Sequence, residues 1–323
     1  MTTSTETQDR PGFPKIWWVA IRPFALPAST MPVVFGTVLA VTIGEAEFDL
    51  FNFICALFGM AALHTGANLL NDVFDYKKGL DARVNPVSGA IVRGWISTRQ
   101  ATVAAALFFA VGIALGIRLV DAVGMPILWL GVVGVGIGLL YSLGSVGLKY
   151  HALGDPAVFL NFGILGSLGA WTVQTGSHSF VPAVWAIPMS LLVVGILHSN
   201  NWRDIKSDSD GGIRTAANLM GDRASQIYYG VLIFGPFAAV LAIMGTSWIL
   251  ELGPRMPLTF LITLLALPLA VGLMKKGRAR HNAANPLDFL ALDGATAQLN
   301  LVFGLLCTGA LGLHVLVNHF CAG

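Results

Sequence analysis

The chain has 323 residues, 55% of them hydrophobic and only 11% charged, with a mean hydropathy of +0.73. A soluble domain carries about a quarter charged residues, so this composition excludes a water-covered globule and describes a polytopic helical membrane protein. The net charge of +2 is small and no basic stripe is present, which excludes a nucleic-acid partner.

Residues 1–22 read as a polar segment that turns aromatic toward its end. They lack the short apolar core and small-residue cleavage site of a signal peptide. Residues 23–323 then read as a single transmembrane domain. A bilayer-spanning helix needs about 20 mostly apolar residues. Nine such runs follow: Leu26–Ile43, Leu50–Leu70, Ala101–Val120, Met125–Tyr141, Leu153–Thr175, Val181–Ser199, Gln226–Thr246, Pro257–Met274 and Ala295–Val317. They predict an all-α fold of nine transmembrane helices around a central cavity, as two four-helix units plus one helix. Gly134, Gly136 and Gly138 sit inside an apolar run with no preceding strand. They read as close helix packing rather than a dinucleotide loop, as do Gly112 and Gly116. Cys55, Cys307 and Cys321 have no metal-ligand spacing. The histidines form no spaced pairs and read as interfacial or packed, with His198 near enough to the second acidic segment to be a substrate contact.

All but two of the 19 basic residues, Arg118 and Arg255, fall in the N-terminal segment or in the even-numbered connections. By the positive-inside rule, those regions face the cytoplasm and the C-terminus faces away. The second and sixth connections are long, and both carry acids. One segment runs from Asn71 to Asp81 and the other from Asn200 to Asp208. Asn68, Asp72 and Asp75, spaced by four and three, share one helical face, with Asn71 beside them; Asp204 and Asp208 are four apart, with Asn200 one turn before Asp204 and Asn201 alongside. Carboxylates of this kind hold magnesium (Mg2+) through few protein ligands plus phosphate oxygens. Lys77, Lys78, Arg203 and Arg214 are charge-assisted donors for the remaining oxygens of a diphosphate. The competing class, a cation-coupled transporter, places its acids near the bilayer midplane in broken helices, whereas these acids lie at helix ends.

The segments Asn71-Asp72-x-x-Asp75 with Asp81, and Asp204-x-x-x-Asp208, resemble the two signatures of the UbiA superfamily of intramembrane prenyltransferases. The likeness runs from Arg22 to about Gly221. Four stretches carry it: Ile21 to Ser29, Asn71 to Asp81, Leu153-Gly154-Asp155, and Asn200 to Asp204 through Gly212 to Thr215. Within that superfamily the chain looks most like the 1,4-dihydroxy-2-naphthoate polyprenyltransferases of the MenA type, because Asp81 follows Asp75 by six residues. Asn85-Pro86-Val87-Ser88 and Trp202 depart from the usual pattern.

The resemblance implies transfer of a chain from a polyprenyl diphosphate to an aromatic acceptor, with loss of the ring carboxylate and demethylmenaquinone as product. The setting it implies is the lipid bilayer of a bacterial cytoplasmic membrane. Asp72, Asp75, Asp204 and Asp208 would be the catalytic metal ligands, and Asn68, Asn71, Asp81, Asn200 and Asn201 would line the substrate. Lys149 would contact diphosphate and Arg22 the acceptor carboxylate, with Tyr76, Tyr141 and Trp202 as candidates to face the cation. Another acceptor, or a terpene cyclase with none, is the alternative within the superfamily.

Overall fold

The computed structural model describes residues 11–79, 89–143, 147–251, 253–281 and 287–322. Among them the chain is helical, and one isolated bridge, His151 to Arg214, stands in place of any sheet. In chain order the helices are α1 (Phe13–Ile21), α2 (Pro27–Thr42), α3 (Leu50–Lys77), α4 (Thr98–Val123), α5 (Met125–Ser142) and α6 (Gly154–Thr175). Then come α7 (Phe180–Trp185), α8 (Ile187–Arg203), α9 (Ile205–Asp210), α10 (Ala216–Ile249), α11 (Leu258–Arg278), α12 (Leu287–Leu290) and α13 (Leu292–Ala322).

Every apolar run read from the sequence falls on a helix, but not every run is a span. Seven helices (α3, α4, α5, α6, α10, α11 and α13) are long and apolar enough to cross a bilayer. An eighth is added if the stretch Phe13–Ala25 and α2, bent by 51° at their junction, count as one. The expected nine become seven or eight among the described residues. The run Val181–Ser199 is divided at Ala186, where Pro188 in the first turn of α8 suits a helix start, and α8 itself has 17 residues. The N-terminal stretch also differs from a simple polar segment. Residues 13–21 form an amphipathic helix that buries Ile16 and Ala20 against Leu69, Val73 and Ile91 while exposing Phe13 and Trp18, the layout of a helix lying at a membrane interface.

Local chemistry sets the helix ends. Asp49 accepts the backbone N–H of Asn52 to start α3, and reciprocal capping boxes, Ser97 with Gln100 and Thr215 with Asn218, start α4 and α10. Near its start, α10 is interrupted at Gly221, whose φ of 76° belongs to the left-handed side of the map.

The helices pack in a ring. α3 lies along α4, α5 leans on α3 and α4, α6 packs against α2 and α8, and α10 against α8; α13 returns to α2, α8 and α11 and closes the circle. Lipid tails are as apolar as leucine, so side-chain interdigitation and small residues hold such contacts together. Phe35 and Trp185 meet Phe260 edge-on, and Phe237 meets Phe303 the same way. Leu107, Val111 and Ile117 of α4 point outward, as a lipid-facing surface requires. The glycines of α5 fit the expected close packing only in part. Gly134 lies close against α6, where an added Cβ would stand 3.3 Å from the Asn161 side chain, and Gly138 faces the same residue, whereas a Cβ on Gly136 would meet open space. Gly116 also stands open, whereas Gly112 does meet α3, at Leu63 and the Gly59 carbonyl.

Candidate active site

The first acidic segment is the last two turns of α3, whose helical spacing turns Asp72 inward, where it is 3% exposed. Arg22 reaches it from the junction of α1 and α2 and donates a hydrogen bond and ion pair to its Oδ1. Arg22 holds a left-handed backbone, φ 51° and ψ 61°, ahead of Pro23. For a residue with a side chain that conformation costs about 1–2 kcal/mol, and here it lets the guanidinium turn back over α3.

Asp75 is held by three donors. Lys149 Nζ lies 2.5 Å from its Oδ1, Tyr150 donates its hydroxyl to the same oxygen at 3.1 Å, and Asn71 Nδ2 reaches Oδ2 at 3.1 Å. Lys149 also donates to Asn71 Oδ1, which accepts from Ser142 at 2.9 Å as well. Lys78 caps α3 and sits 3.3 Å above the Tyr150 ring, a cation–π contact. Lys77 and Tyr76 are exposed at the same end and do not line the cavity. Asp81 lies outside the described residues.

The second segment runs from the end of α8 into α9. Arg203 organises it with all five guanidinium N–H groups. Nε and one Nη2 hydrogen go to Asp204 at 3.1 and 2.8 Å, the other Nη2 hydrogen goes to Asn200 at 2.6 Å, and Nη1 bonds Asp293 at 3.1 Å and the Leu290 carbonyl at 3.2 Å. No N–H is left for a phosphate. The expected diphosphate contact is an internal brace, and Asp293 of α13, in neither segment, is part of it.

Asp208 shows that the two segments face each other. Burial, then the like charges of Asp204 and of Asp75 from the first segment, push its carboxyl up to about 7. The backbone joins the same elements: Arg214 N–H donates to the Tyr150 carbonyl at 3.2 Å, and Ala152 N–H to the Arg214 carbonyl at 2.5 Å. The Arg214 side chain is exposed at this edge, and Asn201 is half-buried away from the cavity.

Below the acids lies a cavity of about 140 Å³. Its polar rim is Arg22, Asn68, Asn71, Asn200 and Asp293, and its walls include Phe24, Ile137, Tyr141, Val158, Phe162, Val193 and Leu197. Arg22 Nε and Asn68 Nδ2 are buried there with no hydrogen-bond partner among the described residues, so both have donors to offer a ligand. Two wall residues were not singled out from the sequence. His64 accepts or donates through Nδ1 to Ser29 at 2.8 Å and stacks on Phe162 at 4.5 Å. Asn161 enters the wall from a π-helical stretch, Phe159–Leu165, within α6. Wide turns of this kind recur at functional sites, but no proline or glycine pair marks this one in advance. His198 and Trp202 are buried elsewhere: His198 contacts the Ser225 carbonyl at 3.1 Å, and Trp202 donates to Asp222 at 2.7 Å amid Tyr229 and Phe289.

Among the described residues no three histidine, cysteine or acidic side chains gather as a ready-made metal cluster. The donor set still fits magnesium, which binds through one or two carboxylates completed by substrate phosphates and water. Mutual repulsion at Asp208 is what a divalent cation would relieve.

Known proteins share this arrangement. The model of the UbiA prenyltransferase family matches residues 29–292. UbiA prenyltransferase domain-containing protein 1 of Danio rerio is 32% identical over 290 residues, covering 89% of this chain and 81% of the relative. The Homo sapiens protein of that name is 32% identical over 298 residues, covering 89% and 80%. Among solved structures, a UbiA homolog from Aeropyrum pernix K1 superposes with a TM-score of 0.62 at 17% identity, covering 90% of this chain and 97% of that one. A UbiA homolog from Archaeoglobus fulgidus, bound to GPP and Mg2+, gives 0.61 at 15% identity, covering 91% and 99%. With a family model spanning most of its length, two acidic segments facing one cavity and a ring of apolar helices, the chain belongs to the UbiA prenyltransferase family.

Proposed function

We propose that this prenyltransferase moves a polyprenyl chain from an allylic polyprenyl diphosphate to 1,4-dihydroxy-2-naphthoate, giving the quinol form of demethylmenaquinone. What supports the reading is that Asp75, Asp204 and Asp208 lie close enough to act on one another, beside an apolar cavity whose rim holds Asn71, Asn200 and Arg22, the last paired with Asp72. The Archaeoglobus relative with GPP and Mg2+ supports the donor and the metal.

Asp72 and Asp75 from α3, with Asp204 and Asp208, would hold magnesium, which when bound neutralises the leaving diphosphate. Lys149 and Lys78 supply N–H donors to the diphosphate oxygens, and Lys149 must exchange its bond to Asp75 to do so. The carbon–oxygen bond breaks, the diphosphate leaves with the electron pair, and the allylic cation lies against apolar walls that exclude water. Tyr141 presents its ring to that space. Arg22, whose Nε at the rim has no partner among the described residues, receives the acceptor carboxylate. The ring carbon that bears the carboxylate attacks the cation to form the new carbon–carbon bond, and carbon dioxide leaves from that same carbon, its bonding pair returning to the ring and restoring aromaticity.

We place this multi-pass protein in the bacterial cytoplasmic membrane as part of the same proposal, and the basic connections are what favours the N-terminus and both acidic segments on the cytoplasmic side. Purified enzyme given geranyl or longer diphosphates, with and without dihydroxynaphthoate, should release prenylated naphthoquinol only with acceptor, and none with chelator present. Hydrocarbon formed without acceptor would identify a cyclase instead. Prenylation of another phenol in preference would replace the naphthoate.

A further inference from the structure

We infer that Asp293 is a positioning residue that keeps Asp204 available to a divalent cation. The inference rests on the proposed function, in that Asp204 is taken as a cation ligand. Asp293 lies at the start of α13, about ninety positions beyond Arg203 in sequence, and is 6% exposed. Its Oδ2 accepts from Arg203 Nη1 at 3.1 Å, and its Oδ1 accepts the Gly294 N–H at 2.9 Å.

The reason is electrostatic. One guanidinium charge is shared between two carboxylates, Asp204 and Asp293, so the group of three carries a net negative charge. Were Asp293 neutral, Arg203 and Asp204 would form a closed one-to-one pair, and a metal would have to compete with the full guanidinium charge for the Asp204 oxygens. Asp293 draws Arg203 from the opposite side, with the Leu290 carbonyl helping at 3.2 Å, and leaves Asp204 half-compensated. It also adds its own negative charge to the rim. Both effects raise affinity for a cation. The last helix thereby tunes the second acidic segment without belonging to it.

The test uses the full-length protein in detergent and measures binding of radiolabelled geranyl diphosphate while magnesium is titrated. Asp293→Asn keeps the size and one acceptor oxygen for Arg203 but removes the charge. It should raise the magnesium concentration for half-maximal binding about tenfold, with binding at saturating magnesium unchanged, whereas Asp293→Glu should restore the wild-type requirement. Melting temperature, measured in parallel, separates folding from tuning. A loss of binding that saturating magnesium does not recover would make Asp293 a structural residue and overturn the inference, as would a wild-type magnesium curve in Asp293→Asn. If the unsubstituted protein showed no magnesium-dependent binding at all, the proposed function would fail and this inference with it.

Discussion

Asp72 and Asp204 are both carboxylates, but their surroundings give them different vulnerabilities. Asp72 is nearly sealed beneath Arg22, while Asp204 is 38% exposed at its side chain and shares Arg203 with Asp293. Asp72→Asn and Asp204→Asn should each abolish turnover measured by diphosphate release. Arg22→Ala should in addition lower the melting temperature, because it removes a largely buried ion pair that joins the α1–α2 junction to α3. Asp208 behaves in the opposite sense. Its folded-state pKa of about 7 stands above the ordinary 3.8, so the folded protein holds that proton more tightly than the unfolded chain. The resulting cost is absent near pH 4, grows as pH rises toward 7, and is fully present above it. Asp208→Asn should therefore raise the melting temperature by a few degrees at pH 8 and leave it unchanged near pH 4, while diphosphate binding is lost. Equal melting curves at pH 8 would refute this. The acids of the first segment were legible in sequence because their three- and four-residue spacing places them on one helical face, whereas in the second the helix breaks at Asp204, between α8 and α9. Their cationic partners were only partly so. Arg22 and Lys149 were identified by resemblance, but that Arg203 spends every donor inside the protein depends on Asp293, whose approach only tertiary assembly decides.

At the scale of helices, hydropathy marked where each element lies but not how it is bent. The split at Ala186 is readable in hindsight from Pro188, a residue that sits comfortably only in a first turn. The π-helical stretch of α6 leaves no such mark, because its residues, Phe-Leu-Asn-Phe-Gly-Ile-Leu, would suit an ordinary helix. Within it Gly163 meets α8 closely. A Cβ on Gly163 would stand 1.8 Å from Ser190 Oγ and 2.8 Å from Ser190 Cα, so α6 and α8 touch backbone to backbone there. That contact fixes the turn from which Asn161 enters the cavity wall and faces Gly134 and Gly138. Gly163→Ala should cost about 1–3 kcal/mol by overpacking and weaken binding of geranyl diphosphate by displacing the wall. Adding Ser190→Gly should recover part of the melting temperature. If Gly163→Ala melts and binds like the parent, the close approach does not shape the site. The glycines of α5 make the complementary point: their spacing resembles a packing motif, yet Gly136 meets nothing, since the outward face of a lipid-exposed helix needs no small residue.

For the molecule as a whole, the ring of helices has two chemically different ends. At one end Arg22, Asp72, Lys149, Arg203 and Asp293 interlock, and the Tyr150–Arg214 backbone bridge ties the halves of the ring together. At the other, Asp49 N–H meets Gln174 Oε1 at 2.8 Å, joining the start of α3 to the end of α6, with little basic charge nearby. This polarity was readable from the sequence, because the cost of translocating Lys and Arg is paid per residue and needs no knowledge of packing. Arg99 opens α4 at the acid-bearing end, and Arg255 lies in the connection between α10 and α11 at the opposite one. Among the described residues Arg255 engages Glu251 and the Trp248 ring, both on the surface, so replacing it should leave the ring intact. In a background with Cys55, Cys307 and Cys321 changed to alanine, Arg255→Cys should react with a membrane-impermeant maleimide applied to intact cells. Arg99→Cys should react only after the membrane is permeabilised. The reverse pattern would invert the protein and place prenyl transfer on the outer face, where a diphosphate made in the cytoplasm would not reach it.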